Sequence, residues 1–113
     1  MKVAVVGSRG LSVRDLGAYL PPDTTEIISG GARGVDTSAR LYAHDHGIKL
    51  TEFLPNYEKY GRKAPLIRNM DIINSADLVL AFWDKKSNGT RFVIKKCREI
   101  GKQIILYTPI TPS

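Results

Sequence analysis

Long hydrophobic runs and cysteine are nearly absent from this sequence. No apolar run approaches the length needed to cross a bilayer, so we expect no membrane contact. The amino-terminal segment has four apolar residues before Gly7, too few for the apolar region of a signal peptide, and we expect a cytoplasmic protein. The one cysteine, Cys97, excludes an internal disulfide and lies among apolar positions of a predicted helix, which favours a buried thiol over a nucleophile.

Acidic residues are scarce in the second half of the chain. The net charge is +6, and residues 59–113 hold eleven basic and four acidic side chains. Such a field favours a phosphorylated ligand or a nucleic acid, although a basic surface can equally serve solubility alone. The 113 residues suffice for one domain, which we place at 1–108, with a short tail at 109–113 that contains two prolines.

Five short apolar runs rich in β-forming residues predict strands at 2–6, 26–29, 48–54, 77–83 and 103–107. Segments with helical periodicity lie between them. Strands that alternate with helices form parallel units with right-handed crossovers, so the sequence predicts an α/β fold with a five-stranded parallel sheet in a three-layer α/β/α sandwich. A strand order of 3-2-1-4-5 would bring the polar loops described below together around one crevice.

The helical segments each have an apolar face and a polar face. We expect the buried faces to consist of three groups of residues, namely Val35, Ala39, Tyr42, Ala43 and His46; Leu66, Ile67, Met70 and Ile73; and Val93, Ile94, Cys97 and Ile100. The last helix also carries a basic stripe on its outer face, formed by Arg91, Lys95, Arg98 and Lys102. His44 and His46 are two residues apart, which does not suit one helical face, so no metal site is predicted.

A glycine-rich turn follows the second predicted strand, in the run from Ile27 to Asp36. Glycines let the backbone approach a ligand, and the first N–H groups of the next helix lack internal partners, so the turn suits an anion such as phosphate. A connection without a ligand is the alternative. Arg33 could bind two phosphate oxygens or pair with Asp36. Asp36 could contact a sugar hydroxyl, or it could have no function beyond the favourable interaction of a carboxylate with the helix dipole.

Two further polar loops follow predicted strands, at residues 7–10 and 83–90. Ser8 and Arg9 could donate to a ligand or form a plain turn. Thr90 opens the last helix, where it can cap the helix, bind phosphate, or do both. Asp84, at a strand end, is a candidate catalytic acid or ribose contact. Tyr57, Tyr60 and Trp83 could stack on a base or pack in the core or at its rim.

In these loops the chain resembles the SLOG superfamily, the Rossmann-like group that contains Smf/DprA and the LOG phosphoribohydrolases, and it looks closest to the small YspA-like branch. The resemblance is carried by five segments, namely residues 7–9, 30–37, 55–64, 68–69 and 81–90. It implies a Rossmann-like fold and a nucleotide or nucleotide derivative as ligand. It does not identify a cofactor. In LOG enzymes a glutamate three residues beyond the Gly-Thr pair takes part in cleavage; here that residue is Val93.

Together the residues and the resemblance predict a set of ligand contacts. The predicted phosphate or nucleotide contacts are Gly7, Ser8, Arg9, Gly30, Gly31, Ala32, Arg33, Gly34, Asp36, Ser87, Asn88, Gly89 and Thr90. The predicted base or sugar contacts are Tyr57, Arg68, Asn69, Trp83 and Asp84. If the protein is an enzyme, the catalytic candidates are Asp84, Asp36 and Arg68.

Three functions follow as hypotheses. The first is a sensor or hydrolase that binds a nucleotide-like small molecule at the carboxyl edge of the sheet. The second is LOG-like cleavage of a nucleoside monophosphate, in which Asp84 or Asp36 would replace the missing glutamate. The third is DprA-like binding of single-stranded nucleic acid through the basic stripe; this is not favoured, because four basic residues on one exposed face are usually just solvated. A homo-oligomer is also compatible with the sequence.

Overall fold

The computed structural model describes residues 1–108 and contains a five-stranded parallel sheet. Its strands are β1 Lys2–Gly7, β2 Glu26–Ser29, β3 Lys49–Glu52, β4 Leu78–Phe82 and β5 Ile104–Tyr107. They pair in the order β3-β2-β1-β4-β5, and every neighbouring pair is parallel. The predicted fold class and strand order are therefore confirmed, and the predicted tail at 109–113 lies outside the described residues.

Four α-helices connect the strands within the described residues. They are α1 Val35–Asp45, α2 Tyr57–Tyr60, α3 Ala64–Ser75 and α4 Asn88–Ile100. The first crossover, at residues 8–25, holds only the 3-10 turn Leu16–Ala18, although helical periodicity was predicted between the strands. Gly10 and Gly17 make a helix there costly, and Pro21 and Pro22 cannot continue one. No helix within residues 1–108 is long and apolar enough to cross a membrane.

The hydrophobic core has two halves, one on each face of the sheet. On one face, α1 and Leu16 pack against Val3, Val5 and Leu80. On the other face, α3 and α4 pack against the intervening residues, such as Ala4 and Val79. Successive strand residues point to opposite faces, so the uninterrupted apolar runs of β1 and β4 are required by a sheet that is covered on both sides.

Cys97 belongs to the α3 and α4 half of the core, as predicted, and burial raises the pKa of its thiol.

Some predicted core positions were wrong. Leu66 is 44% exposed and Ile100 is 49% exposed. Helix α3 is rotated so that Asn69 and Ile72 face inward together with Ile73, and Ile100 is the last residue of α4. His46 is also exposed, with its ring stacked on Tyr42 at a centroid distance of 3.9 Å.

The predicted basic stripe on α4 loses one member. Lys102 is part-buried, and its ammonium group donates a hydrogen bond to the backbone oxygen of Ala76. Arg91, Lys95 and Arg98 remain exposed. The stripe therefore has three exposed cations rather than four, and the guanidinium of Arg91 also donates to the backbone oxygen of Lys85 at 3.4 Å.

Candidate functional site

Three strand-end loops line one cleft of about 450 Å³ at the carboxyl edge of the sheet. We call residues 7–10 the first loop, 30–36 the second loop and 83–90 the third loop. The cleft is lined by residues from all three loops and from α3, including Gly7, Ser8, Arg9, Gly30, Ala32, Asp36, Arg68, Asn69, Asp84, Ser87, Asn88, Gly89 and Thr90. It lies beside β1, where the strand order reverses, which is the usual ligand position in such sheets.

Gly34 holds the second loop against the first. Its φ of 74° and ψ of −119° suit glycine almost exclusively. A Cβ atom at this position would lie 2.4 Å from the backbone oxygen of Arg9. A further bond ties the same region, since the backbone N–H of Val13 donates to the Ser38 hydroxyl at 2.9 Å. Glycine is therefore required here by a close approach of two backbone segments.

The third loop is organised by the side chain of Asp84. One carboxylate oxygen accepts hydrogen bonds from the backbone N–H groups of Lys86 and Ser87, both at 2.8 Å. These bonds hold the pKa of Asp84 below its usual value. Lys85, which lies between Asp84 and Lys86 in the sequence, adopts a left-handed conformation with a φ of 68°. The carboxylate predicted as a catalytic acid thus stabilises its own loop and stays ionised.

Ser8 joins the first loop to the third. Its hydroxyl accepts a hydrogen bond from the backbone N–H of Asp84 at 3.0 Å and lies 2.7 Å from the hydroxyl of Ser87. Ser8 is only 1% exposed. Because these bonds occupy the hydroxyl, Ser8 sets the distance between the loops.

The amino terminus of α4 forms one wall of the cleft. Within residues 1–108, the N–H groups of Asn88, Gly89 and Thr90 have no backbone or side-chain acceptor. No acidic residue occupies the first turn. The buried side chain of Thr90 also lines the cleft. This wall is therefore electropositive and offers hydrogen-bond donors.

Asp36 and Arg68 lie on the opposite wall. A carboxylate oxygen of Asp36 accepts from the N–H of Ala32 at 3.0 Å. Burial raises the pKa of Asp36, and both that N–H group and the charge of Arg68 oppose the rise. The guanidinium of Arg68 donates to the backbone oxygen of Gly30 at 2.7 Å and to the amide oxygen of Asn69 at 2.8 Å. Burial lowers the pKa of Arg68, opposed by Asp36.

Asn69, which the resemblance directs at the crevice, completes this wall of the cleft. It is buried, and its amide nitrogen has no hydrogen-bond partner within the described part of the chain. Two buried polar side chains, Asn69 and Thr90, therefore line the cleft with capacity left for a ligand.

Other predicted contacts lie outside the cleft lining. Arg33 is exposed at the tip of the second loop, and neither Gly31 nor Gly34 lines the cleft. Tyr57 is 58% exposed. Trp83 packs on the far side of the third loop, beneath Arg91. Gly31 and Gly34 shape the backbone of the second loop, since both have a positive φ. The rings of Tyr57 and Trp83 do not line the cleft.

Five residues of the cleft lining are absent from the predicted contacts, namely Val6, Gly10, Pro65, Ile72 and Val93. Gly10 closes the first loop, so the rule that ligands gather at strand ends could have included it. Pro65 occupies the first turn of α3, and its position became a signal only once that helix was placed beside the cleft.

A family model with the description "YAcAr: YspA, cpYpsA-related SLOG family" matches residues 1–60, more than half of the chain. The matched segment includes β1, β2, α1 and β3, together with the first and second loops. No curated protein and no solved structure matches the chain.

Proposed function

The chain belongs to the YspA, cpYpsA-related SLOG family, and from that premise we propose that it binds a nucleotide or nucleotide-derived ligand in the cleft. The observation that carries the proposal is the convergence of three strand-end loops on one cleft whose two walls differ in chemistry. The wall at α4 offers N–H donors and a hydroxyl, and the opposite wall offers a carboxylate and an amide, with the guanidinium of Arg68 bound to Gly30 and Asn69. A ligand with a phosphate at one end and a hydroxyl-bearing group at the other complements both.

The phosphate belongs at the amino terminus of α4. The free N–H groups of Gly89 and Thr90 and the Thr90 hydroxyl are suitable donors for phosphate oxygens. Arg9 lines the same cleft and supplies a positive charge. Arg33, predicted from the sequence for this role, lies outside the lining, so Arg9 takes it in this proposal.

The sugar belongs at the opposite wall. The carboxylate of Asp36 can accept a hydrogen bond from a hydroxyl group, and the amide nitrogen of Asn69 can donate one. Arg68 is bound to Gly30 and Asn69, so it acts by positioning these groups.

Binding is favoured over LOG-type cleavage of the N-glycosidic bond. Val93 stands where the LOG glutamate would be, and its buried side chain gives the cleft an apolar lining there. Asp84 is held ionised by its own loop. A hydrolytic role would rest on Asp36, whose raised pKa brings it nearer to the range of a general acid.

Calorimetric titration with AMP, ADP, NAD and ADP-ribose, with adenosine and ribose as phosphate-free controls, tests the proposal. We expect at least one phosphorylated compound to bind and the phosphate-free compounds to bind at least tenfold more weakly. Chromatography of the same mixtures reports released base, and we expect none. Absence of binding by all four phosphorylated compounds at millimolar concentration would count against the proposal.

A pair of arginine variants locates the anion site. Arg9→Gln should weaken binding about tenfold, equivalent to about 1.4 kcal/mol, because it removes a charged contact. Arg33→Gln is the matched control, since this exposed arginine belongs to the neighbouring loop but not to the cleft. A larger loss in Arg33→Gln would move the phosphate to the tip of the second loop. Thr90→Val, which removes one hydroxyl, should cost about fivefold.

A further inference from the structure

Another cavity, of about 480 Å³, lies beside α4, between that helix, Trp83 and Leu106 of β5. It is lined by Trp83, Arg91, Ile94, Lys95, Arg98, Glu99 and Leu106, and we call it the α4 groove. None of these residues lines the cleft. We propose that the α4 groove binds a short segment of single-stranded nucleic acid. This proposal does not depend on the proposed nucleotide ligand.

The charges of the groove suit a phosphate backbone. Arg91, Lys95 and Arg98 are exposed and follow one another at i, i+4 and i+7, so they extend over about 10 Å of the helix. Glu99 is the acidic residue in the lining, and its carboxylate pairs with Lys96 at 3.4 Å. The groove therefore presents three cations to an extended polyanion.

The apolar surface of the groove favours a nucleic acid over an acidic peptide as its occupant. Ile94 and Leu106 contribute apolar lining, and Trp83 contributes an aromatic ring whose N–H group donates to the backbone oxygen of Ser87 at 3.0 Å. This bond fixes the orientation of the ring. The guanidinium of Arg91 lies over the ring at 5.5 Å from its centroid. The guanidinium thus covers one face of the indole, and its outer plane is the surface on which an unpaired base would stack.

A duplex does not fit this arrangement, because its bases already stack on one another and their flat faces are hidden. Side chains of Asp or Glu would satisfy the cations but would leave the apolar surface without a complement. A single strand supplies phosphates for the cations and flat rings for the apolar surface, so it uses both halves of the groove.

The sole tryptophan of the chain makes a direct test possible. The intact protein is titrated with twelve-nucleotide oligo-dT and oligo-U at 50 mM salt, with Trp83 emission and the anisotropy of an end-labelled oligonucleotide recorded together. We expect emission quenching that follows the anisotropy change. With three phosphate contacts, log K should fall against log salt with a slope of about −2.

Two double variants localise the binding. Lys95→Glu/Arg98→Glu should weaken binding at least tenfold. Arg62→Glu/Lys63→Glu makes the same change in charge at two exposed residues outside the groove and should weaken it less than threefold. Circular dichroism of both variants checks that they are folded. The wild-type emission change is an independent readout if a variant is unstable.

Several results would overturn the proposal. They are an absence of oligonucleotide binding at 50 mM salt, binding without a change in Trp83 emission, and equal losses in the two double variants. Equal affinity for a twelve-residue polyglutamate would assign the surface to acidic peptides instead. Quenching by the mononucleotide dTMP that equals the oligonucleotide's at the same phosphate concentration, and that Lys95→Glu/Arg98→Glu leaves unchanged, would place the signal in the cleft.

Discussion

Asp36 is a buried carboxylate whose ionisation bears on stability. Burial raises its pKa in the folded state above the ordinary value of 3.8, so ionisation costs the folded state more than the unfolded chain. The wild-type protein should therefore lose stability as pH rises from about 4 through the raised pKa. Asp36→Asn cannot ionise, and its amide oxygen can still accept the N–H of Ala32. We expect the variant to gain stability relative to wild type between pH 4 and pH 7.

Thermal unfolding of both proteins across that pH range measures the difference. Asp71→Asn, at an exposed position on the outer side of α3, is the matched control for removal of a carboxylate. A difference between Asp36→Asn and wild type that stays constant with pH would show that the folded and unfolded states ionise Asp36 alike.

At this scale the sequence predicted residue types better than side-chain directions. Asp36, Arg68 and Asn69 were selected and do line the cleft. Arg9 and Arg33 were both selected because each lies in a glycine turn, yet only Arg9 lines it. The backbone of Arg9 packs against Gly34, a contact between two loops about 25 residues apart, and no local pattern reports such a contact.

The junction of the second loop and α1 leaves no room for a Cβ atom at position 34. Gly34→Ala would place a Cβ against the backbone of Arg9 and would force an unfavourable φ, so we expect a loss of about 3 kcal/mol in unfolding free energy. Gly47→Ala is the matched control. Gly47 also has a positive φ, of 63°, but a Cβ there meets no atom within 4 Å, so the cost should be about 1 kcal/mol.

Urea unfolding compares these two variants. Equal losses would mean that backbone conformation alone, and not the close approach of the first loop, requires glycine at position 34. The nucleotide titrations described above should also weaken in Gly34→Ala but not in Gly47→Ala, because only Gly34 positions the loops around the cleft.

Strands were predicted more accurately than helix faces, for a physical reason. A strand that is buried on both faces is a short apolar run, and β2 matches its predicted bounds of 26–29. Helix α3 has apolar residues around much of its circumference, so Leu66 fits one apolar face and Ile72 fits another. Contacts with α4 and the sheet select the second face, and no local pattern reports them.

The two halves of the core share one sheet, so the molecule should unfold as a unit. Trp83 packs against the half under α3 and α4, whereas far-UV circular dichroism reports all helices. We expect urea transitions followed by the two signals to coincide, with a slope of about 1–3 kcal/mol per molar. Separate midpoints would contradict the prediction of one domain at residues 1–108.

The strand order of the sheet could be predicted from the sequence because parallel units obey strict connection rules. Polar loops after β1, β2 and β4 pointed to the order in which those strands lie side by side. The existence of the α4 groove was not within reach. It requires Trp83 from the third loop and Leu106 from β5 to meet beside α4, which depends on the assembled sheet.

Ser87 belongs to the partition between the cleft and the α4 groove, since it lines the first and its backbone oxygen anchors the indole ring of the second. A molecule that displaces Ser87 on one side must therefore disturb the indole on the other. Thermodynamic reciprocity then requires each occupant to change the affinity for the other by the same factor. If both proposed sites bind their ligands, this single residue would couple the affinity for a small molecule to the affinity for a polymer.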